Sequence, residues 1–183
     1  SIDEALAGFC NHIEVQILPG DIVKVSDNGR GIPTGIHPTQ GISTLTVVFT
    51  ILHAGGKFGG GGYNVSGGLH GVGAAVVNAL SQWLEVEVCD GQTRSYQRFE
   101  RGVAVTGVET SPCTEERGTR IAFKPDPDIF EDTNFDHTIL LDRLREQAFL
   151  NAGIAITITD LRGTEPLSTR LQYDGQRFRS PQI

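Results

Sequence analysis

The sequence predicts an α+β sandwich: strands joined in hairpins, with three or four helices layered on one face. Three observations predict it. Apolar residues alternate with polar ones at Ile13, Val15 and Ile17, the period of a half-buried strand, and Ile154, Ile156 and Ile158 alternate in the same way. Turn dipeptides, Pro19-Gly20 and Asp90-Gly91, sit between such segments and join them as hairpins. Apolar residues at helical spacing occupy Val72 to Leu84 and Asp136 to Leu150.

Ile2, Ala5, Leu6 and Phe9 open the chain at helical spacing, and Gly8 to Asn11 end that helix. Ser1-x-x-Glu4 reads as a capping box, or simply as the point where the sequence starts. The strands Ile13 to Ile17 and Ile22 to Ser26 form the first hairpin. Asp27-Asn28-Gly29-Arg30-Gly31-Ile32-Pro33 then runs from a strand end into an irregular loop. Ser43 to His53 reads as a helix despite its β-branched residues. Ala54 to Gly68 is too rich in glycine for regular structure. In the apolar helix that follows, Val72, Ala75, Val76, Ala79, Leu80 and Trp83 share a face.

The second half reads as an antiparallel sheet. Leu84 to Val88 and Arg94 to Phe99 flank the Asp90-Gly91 turn, and Val103 to Val108 and Thr119 to Phe123 follow. The helix Asp136 to Leu150 carries Leu140, Leu141, Leu144 and Ala148 on one side. Leu167 to Tyr173 can pair with the strand at Ile154 to Ile158. There is no internal repeat and no linker, so residues 1–183 read as one domain.

Composition narrows the function. The chain has 183 residues and a net charge of −7, from 15 basic and 22 acidic residues. That balance argues against direct DNA binding, which needs clustered Lys and Arg. Cys10, Cys89 and Cys113 are odd in number and far apart, with no C-x-x-C pair. They indicate neither a zinc site nor a disulfide framework, and favour a reduced, cytoplasmic setting. No apolar run approaches the ~18 residues of a membrane span, and no signal peptide is visible. The chain lacks Met entirely and opens inside a helix, which suggests a piece of a longer protein.

Glycine is the outlier, at 23 residues, and ten of these fall between Gly55 and Gly73. Gly67-Gly68-Leu69-His70-Gly71-Val72-Gly73 runs straight into the apolar helix. A helix start offers unpaired N–H groups and the positive end of the macrodipole, and glycines let an anion approach them. That is one reading, a phosphate cradle; a flexible loop before a packed helix is the other. The order of glycines is neither a Walker A loop nor a dinucleotide fingerprint. Asp27 has two readings as well. It is an ordinary turn residue, or a carboxylate on a pocket floor that accepts from the amine of adenine and rejects the carbonyl of guanine. Gly55 to Tyr63, with Lys57, reads as a lid over phosphates or as a surface loop.

Taken together, DNGRGIPTGIHP, LHAGGKF, VSGGLHGVGAAVVNALS, RGTRIAF and LREQAFLNAGI resemble the ATPase domain of the B subunits of bacterial type II topoisomerases. The gyrase branch is the nearer and the topoisomerase IV branch the alternative. The resemblance covers essentially the whole chain, in order. It implies the Bergerat fold of the GHKL ATPases, a two-layer sandwich whose mixed, mostly antiparallel sheet carries helices on one face, with ATP between the layers.

By that resemblance, Asp27 is the adenine-binding acid, Thr119 supports the contact through water, and Gly31, Ile32 and Pro33 form the pocket wall. Gly68, Leu69, His70, Gly71, Val72, Gly73 and Ala74 form the phosphate lid, with Lys57 near the phosphates. Arg30 flanks the base and Glu4 pairs with it. The family's general-base Glu and magnesium-holding Asn are expected just upstream of Ser1. No residue here is therefore assigned a catalytic or metal-binding role, and the chain is expected to bind ATP with negligible turnover. Cys89-Asp90 departs from the family, which often carries an arginine there at the site of aminocoumarin contact. The implied cofactors are ATP and Mg2+. The implied partners are the gyrase A subunit, DNA through the complete protein, and a second copy of the B subunit on ATP binding, with the transducer domain lying downstream. A non-catalytic nucleotide-binding module and a Bergerat kinase or chaperone are the other classes. The quoted motifs fit topoisomerases better than kinases or chaperones.

Overall fold

Among the described residues, nine strands form one mixed sheet, and every pairing but one is antiparallel. The computed structural model describes residues 1–51 and 73–175. The elements in chain order are α1 (Ile2–Leu6), β1 (His12–Leu18), β2 (Ile22–Asp27), α2 (Thr44–Thr50), α3 (Gly73–Ala79), β3 (Ser81–Cys89), β4 (Thr93–Glu100), β5 (Val103–Ala104), β6 (Glu109–Pro112), β7 (Gly118–Pro125), α4 (His137–Leu150), β8 (Ala155–Asp160) and β9 (Leu167–Leu171). Across the sheet the order is β5-β4-β3-β7-β2-β1-β8-β9, with β6 also on the β4 edge. The single parallel pair is β1 with β8, reached through the long connection that holds α4.

The side-chain alternation decides which face is covered. Ile13, Val15 and Ile17 on β1 and Ile156 and Ile158 on β8 are buried against α1 and α4. Leu84, Val86 and Val88 on β3 and Phe99 on β4 are buried against α2. Phe123 on β7 touches both clusters, so the two groups of helices share one face of the sheet. Glu85, Glu87, Arg98 and Arg120 point the other way and pair there: Arg98 with Glu85 at 2.6 Å and Arg120 with Glu87 at 3.1 Å. This two-layer arrangement is the α+β sandwich expected from the periodicities.

The hairpins form as expected. Ile13 to Leu18 pairs with Ile22 to Asp27, and Trp83 to Cys89 pairs with Arg94 to Glu100. In the second turn the Asp90 carboxylate accepts from the Gln92 and Thr93 N–H groups, and Gly91 takes a φ of +98°. The Asp136 side chain caps α4 by accepting from Ile139 N–H at 3.0 Å. Ala148 on that helix is buried, with Leu140, Leu141 and Leu144 packed beside it.

Several expectations need correction. The helix at Val72 to Leu84 is too long: α3 closes at Ala79 and β3 starts at Ser81. The Ser81 hydroxyl donates to Val77 C=O at 2.6 Å at the point of reversal. Trp83 therefore lies on β3, 5.0 Å beneath the Arg98 guanidinium, and not on a helix face. Within α3 the buried residues are Ala75 and Asn78, while Val76 and Leu80 are 40% and 37% exposed. Asn78 is inward because its amide donates to Phe49 C=O at 2.8 Å, tying α3 to the end of α2. The Val103 to Val108 strand shrinks to two residues, and β6 follows it on the same edge of β4. Helix α1 ends at Leu6, before Phe9, and α2 is shorter than predicted. The capping box is absent, because Ser1 and Glu4 both turn to other partners.

The cysteine expectation also fails. Cys89 and Cys113 are joined in a disulfide across a Cα separation of 6.1 Å, and Cys10 alone is free and buried. They are 24 residues apart in sequence. Strand β4 closes that distance by pairing with β3 on one side and β6 on the other, which brings the end of β3 beside the residue after β6. Among the described residues, no helix is long and apolar enough to cross a membrane.

Candidate functional site

Strand β2 ends at Asp27, where the chain enters an irregular loop. The first contacts of that turn are made by the Asp27 carboxylate, whose side chain is 7% exposed. One oxygen accepts from Gly29 N–H at 3.0 Å and the other from the Ser1 hydroxyl at 2.7 Å. Thr119 faces Asp27 in the β2–β7 register and is itself buried. Asp27 is thus a turn residue whose carboxylate is held inward.

Glycine shapes the walls. A Cβ on Gly118 would overlap the Asp27 carbonyl oxygen, so only glycine lets β7 begin this close to the end of β2. Gly31 has a φ of +87°, and a Cβ there would lie 2.6 Å from Val88 Cγ1. Ile32 then packs on the apolar cluster of Leu45, Phe49, Leu84, Val86, Val88 and Phe99, and Ala74 at the start of α3 packs on the same cluster. Pro33 is exposed beyond it.

Arg30 is fixed from two sides. Its backbone N–H and Nε donate to Glu4 Oε1 at 2.8 and 2.9 Å, and Nη2 donates to Oε2 at 3.1 Å. Its guanidinium lies 3.5 Å from the centre of the Phe9 ring. Burial pushes the Glu4 carboxyl up, but hydrogen bonds and charge from Arg30 outweigh it and hold the group below its usual range. Asn28 makes a second clamp. Its Oδ1 accepts from Asn11 and His12 N–H at 3.1 and 3.2 Å, and its Nδ2 donates to Asn11 Oδ1 at 2.7 Å. Cys10 lies beside this clamp. Burial first, and the Asp27 charge second, push its thiol up, so it stays protonated.

Asp27, Gly31, Ile32, Pro33 and Thr119, with Glu4 and Arg30, therefore gather around the end of β2, and Gly73 and Ala74 open α3 against the neighbouring core. Lys57, Gly68, Leu69, His70, Gly71 and Val72, like the proposed lid from Gly55 to Tyr63, lie outside the described residues. Sequence reasoning passed over Gly118, Asn28, Phe9 and Val88. Two of these had a local signal: Gly118 is the second residue of RGTRIAF, beside the assigned Thr119, and Asn28 lies in DNGRGIPTGIHP beside Asp27.

A carboxylate on a strand end with a threonine across from it has a counterpart among known proteins. Residues 1–129 match the family described as histidine kinase-, DNA gyrase B-, and HSP90-like ATPase. This chain belongs to that ATPase family. Within it, the chain is 54% identical over 177 residues to the B subunit of DNA gyrase from Synechocystis, covering 96% of this chain and 16% of the relative. It is 56% identical over 176 residues to the gyrase protein of the same kind from Halalkalibacterium halodurans, covering 96% and 28%. It is 50% identical over 176 residues to the B subunit of DNA topoisomerase 4 from Enterococcus faecalis, covering 95% and 26%. The chain thus spans under a third of the length of these relatives.

A nucleotide fits what this member of the ATPase family presents at the end of β2. The carboxylate oxygens of Asp27 each hold one donor and keep lone pairs for another. Among the described residues, no three His, Cys, Asp or Glu side chains converge.

Proposed function

We propose that this chain is the ATP-binding part of the B subunit of a bacterial type II DNA topoisomerase, a gyrase, working in the cytoplasm. In the complete protein, binding and hydrolysis of ATP drive DNA strand passage and negative supercoiling, together with the gyrase A subunit and a second copy of the B subunit. The observation that carries the reading is the Asp27 carboxylate, held inward at the end of β2 opposite Thr119, in a chain of the gyrase B-like ATPase family.

The residues divide the work. Asp27 accepts a hydrogen bond from the exocyclic amine of adenine and, with Thr119, orients the base. A guanine carbonyl would meet the same carboxylate acceptor to acceptor. Gly31, Ile32 and Pro33 wall the base, and Arg30, locked by Glu4 and Phe9, flanks it. The amides from Gly68 to Ala74 bind the phosphates at the start of α3, with Lys57 beside them. One domain spans residues 1–183. A topoisomerase IV subunit is the second reading, favoured by the 50% identical Enterococcus relative.

Calorimetry with ATP and GTP tests this on the purified chain. ATP binds and GTP does not, and Asp27→Asn weakens ATP by roughly tenfold to a hundredfold, the worth of one hydrogen bond to a charged group. Unchanged affinity in Asp27→Asn would reduce Asp27 to a turn residue. DNA supercoiling, rather than decatenation, by the complete subunit with its partner separates gyrase from topoisomerase IV.

A further inference from the structure

We propose that Cys89 and Cys113 form a thiol–disulfide switch that sets the affinity of the adjoining nucleotide site; the proposal rests on the nucleotide reading above. Cys89 is the last residue of β3, fully buried, and faces Gly118 across the β3–β7 ladder. The residue before it, Val88, faces Thr119 and lies beneath Gly31. Cys89 therefore sits one rung from the pair Asp27–Thr119. Cys113 is buried too, but it directly follows β6, whose four residues are all exposed on the β4 edge.

The disulfide thus ties the connection that enters β7 to the strand that walls the site. Its other anchors are weaker. Glu115, half exposed, pairs with Arg94 at 3.0 Å and Arg120 at 2.8 Å, and exposed pairs of this kind hold little. Cys113 N–H donates to Gln92 C=O at 2.8 Å. Residues 114–117 lead straight into Gly118 and Thr119, so freeing them loosens the two residues that must lie against Asp27. In a reducing compartment a disulfide is more often a sensor than a permanent staple.

The oxidant is a small-molecule disulfide such as oxidised glutathione. Opening of the β6 edge exposes Cys113, whose thiolate attacks the glutathione disulfide, forms a mixed disulfide and releases one glutathione thiolate. The Cys89 thiolate then attacks the Cys113 sulfur and expels the second. Two protein thiols give up two electrons and two protons, and the glutathione disulfide takes up both. In the reduced state the Cys89 sulfur, 3.5 Å from Glu115 C=O, can donate its S–H there.

Binding of a non-hydrolysable ATP analogue to the full chain, oxidised and reduced, tests the switch. The oxidised form binds about fivefold tighter, the lower end of common site-to-site coupling. Cys113→Ser binds like the reduced form under both conditions. Linkage requires the reverse effect, so saturating analogue makes the disulfide harder to reduce, moving its midpoint in glutathione buffers by about 20 mV for that fivefold coupling. Binding that is equal in both states, with an unmoved midpoint, overturns the switch and leaves the nucleotide reading intact. Absence of binding in either state overturns both. Thiols that never pair across the glutathione range overturn the switch outright.

Discussion

Glu4 on α1 and Arg30 in the loop after β2 form a two-pronged ion pair, and the same carboxylate also accepts the Arg30 backbone N–H. The two side chains are 11% and 30% exposed, so water screens the pair only partly. One acid thus fixes both the path of the loop and the direction of its guanidinium.

Glu4→Gln keeps the shape and removes the charge. We expect it to cost about 1.5–3 kcal/mol of stability, the range for hydrogen bonds to charged groups. The Glu4 carboxyl lies below its usual 4.5 when folded. Its contribution is therefore complete above that pH and fades as pH falls through the lowered folded value. Urea melts at neutral pH and at a series of acid pH values would show a smaller neutral stability and a shallower acid decline in the variant. Identical curves for the two proteins would make the pair incidental.

The two glycines at the site differ in what blocks a side chain, and so in what can relieve it. At Gly118 a Cβ meets the Asp27 backbone carbonyl, which no side-chain change removes. At Gly31 it meets the Val88 methyl, and the positive φ adds about 1–2 kcal/mol. Gly118→Ala should lose about 3 kcal/mol or more, the upper end for overpacking. Gly31→Ala should be partly rescued by Val88→Ala, whereas Gly118→Ala should not. Thermal melts of the three single and two double variants decide it, and rescue of Gly118→Ala would disprove the backbone clash.

Asp160, the last residue of β8, locks Arg162 in a second fork, at 2.9 Å through Nε and 2.7 Å through Nη2. Arg162 Nη1 reaches on to Asn134 Oδ1 and Phe135 C=O, pinning the segment before α4. The Arg162 hydrogen bond pulls the Asp160 carboxyl from 3.8 to about 2. That drop corresponds to about 2 kcal/mol of stability, present above the unfolded value and lost as pH falls toward the folded one. Asp160→Asn should therefore be less stable at neutral pH by about that amount. The difference should close near pH 2 (about the folded value). A gap independent of pH would point to lost packing and not to the charge.

Legibility in the sequence followed the range of the interaction. Alternation at Ile13–Ile17 and Ile154–Ile158 placed strands correctly, because period two needs only neighbours in the chain. The Asp90-Gly91 turn was equally plain, since the Asp90 side chain closes it within three residues. The boundary between α3 and β3 was not. Helical and strand spacing overlap across Leu80 to Leu84, and the contact that turns Asn78 inward comes from Phe49 on another helix. Asp27 and Thr119 were named by motif, yet their opposition across β2 and β7 is a matter of register.

From its amino acids alone this chain determined its hairpins and the apolar alternation of β1 and β8, both of which depend on residues a few positions apart. Only the tertiary structure decided the Cys89–Cys113 bond, the turn of Ser1 and Glu4 away from their own helix, and the need for glycine at position 118. Each of those joins segments more than twenty residues apart, and which distant segments meet is set by how nine strands pair into one sheet.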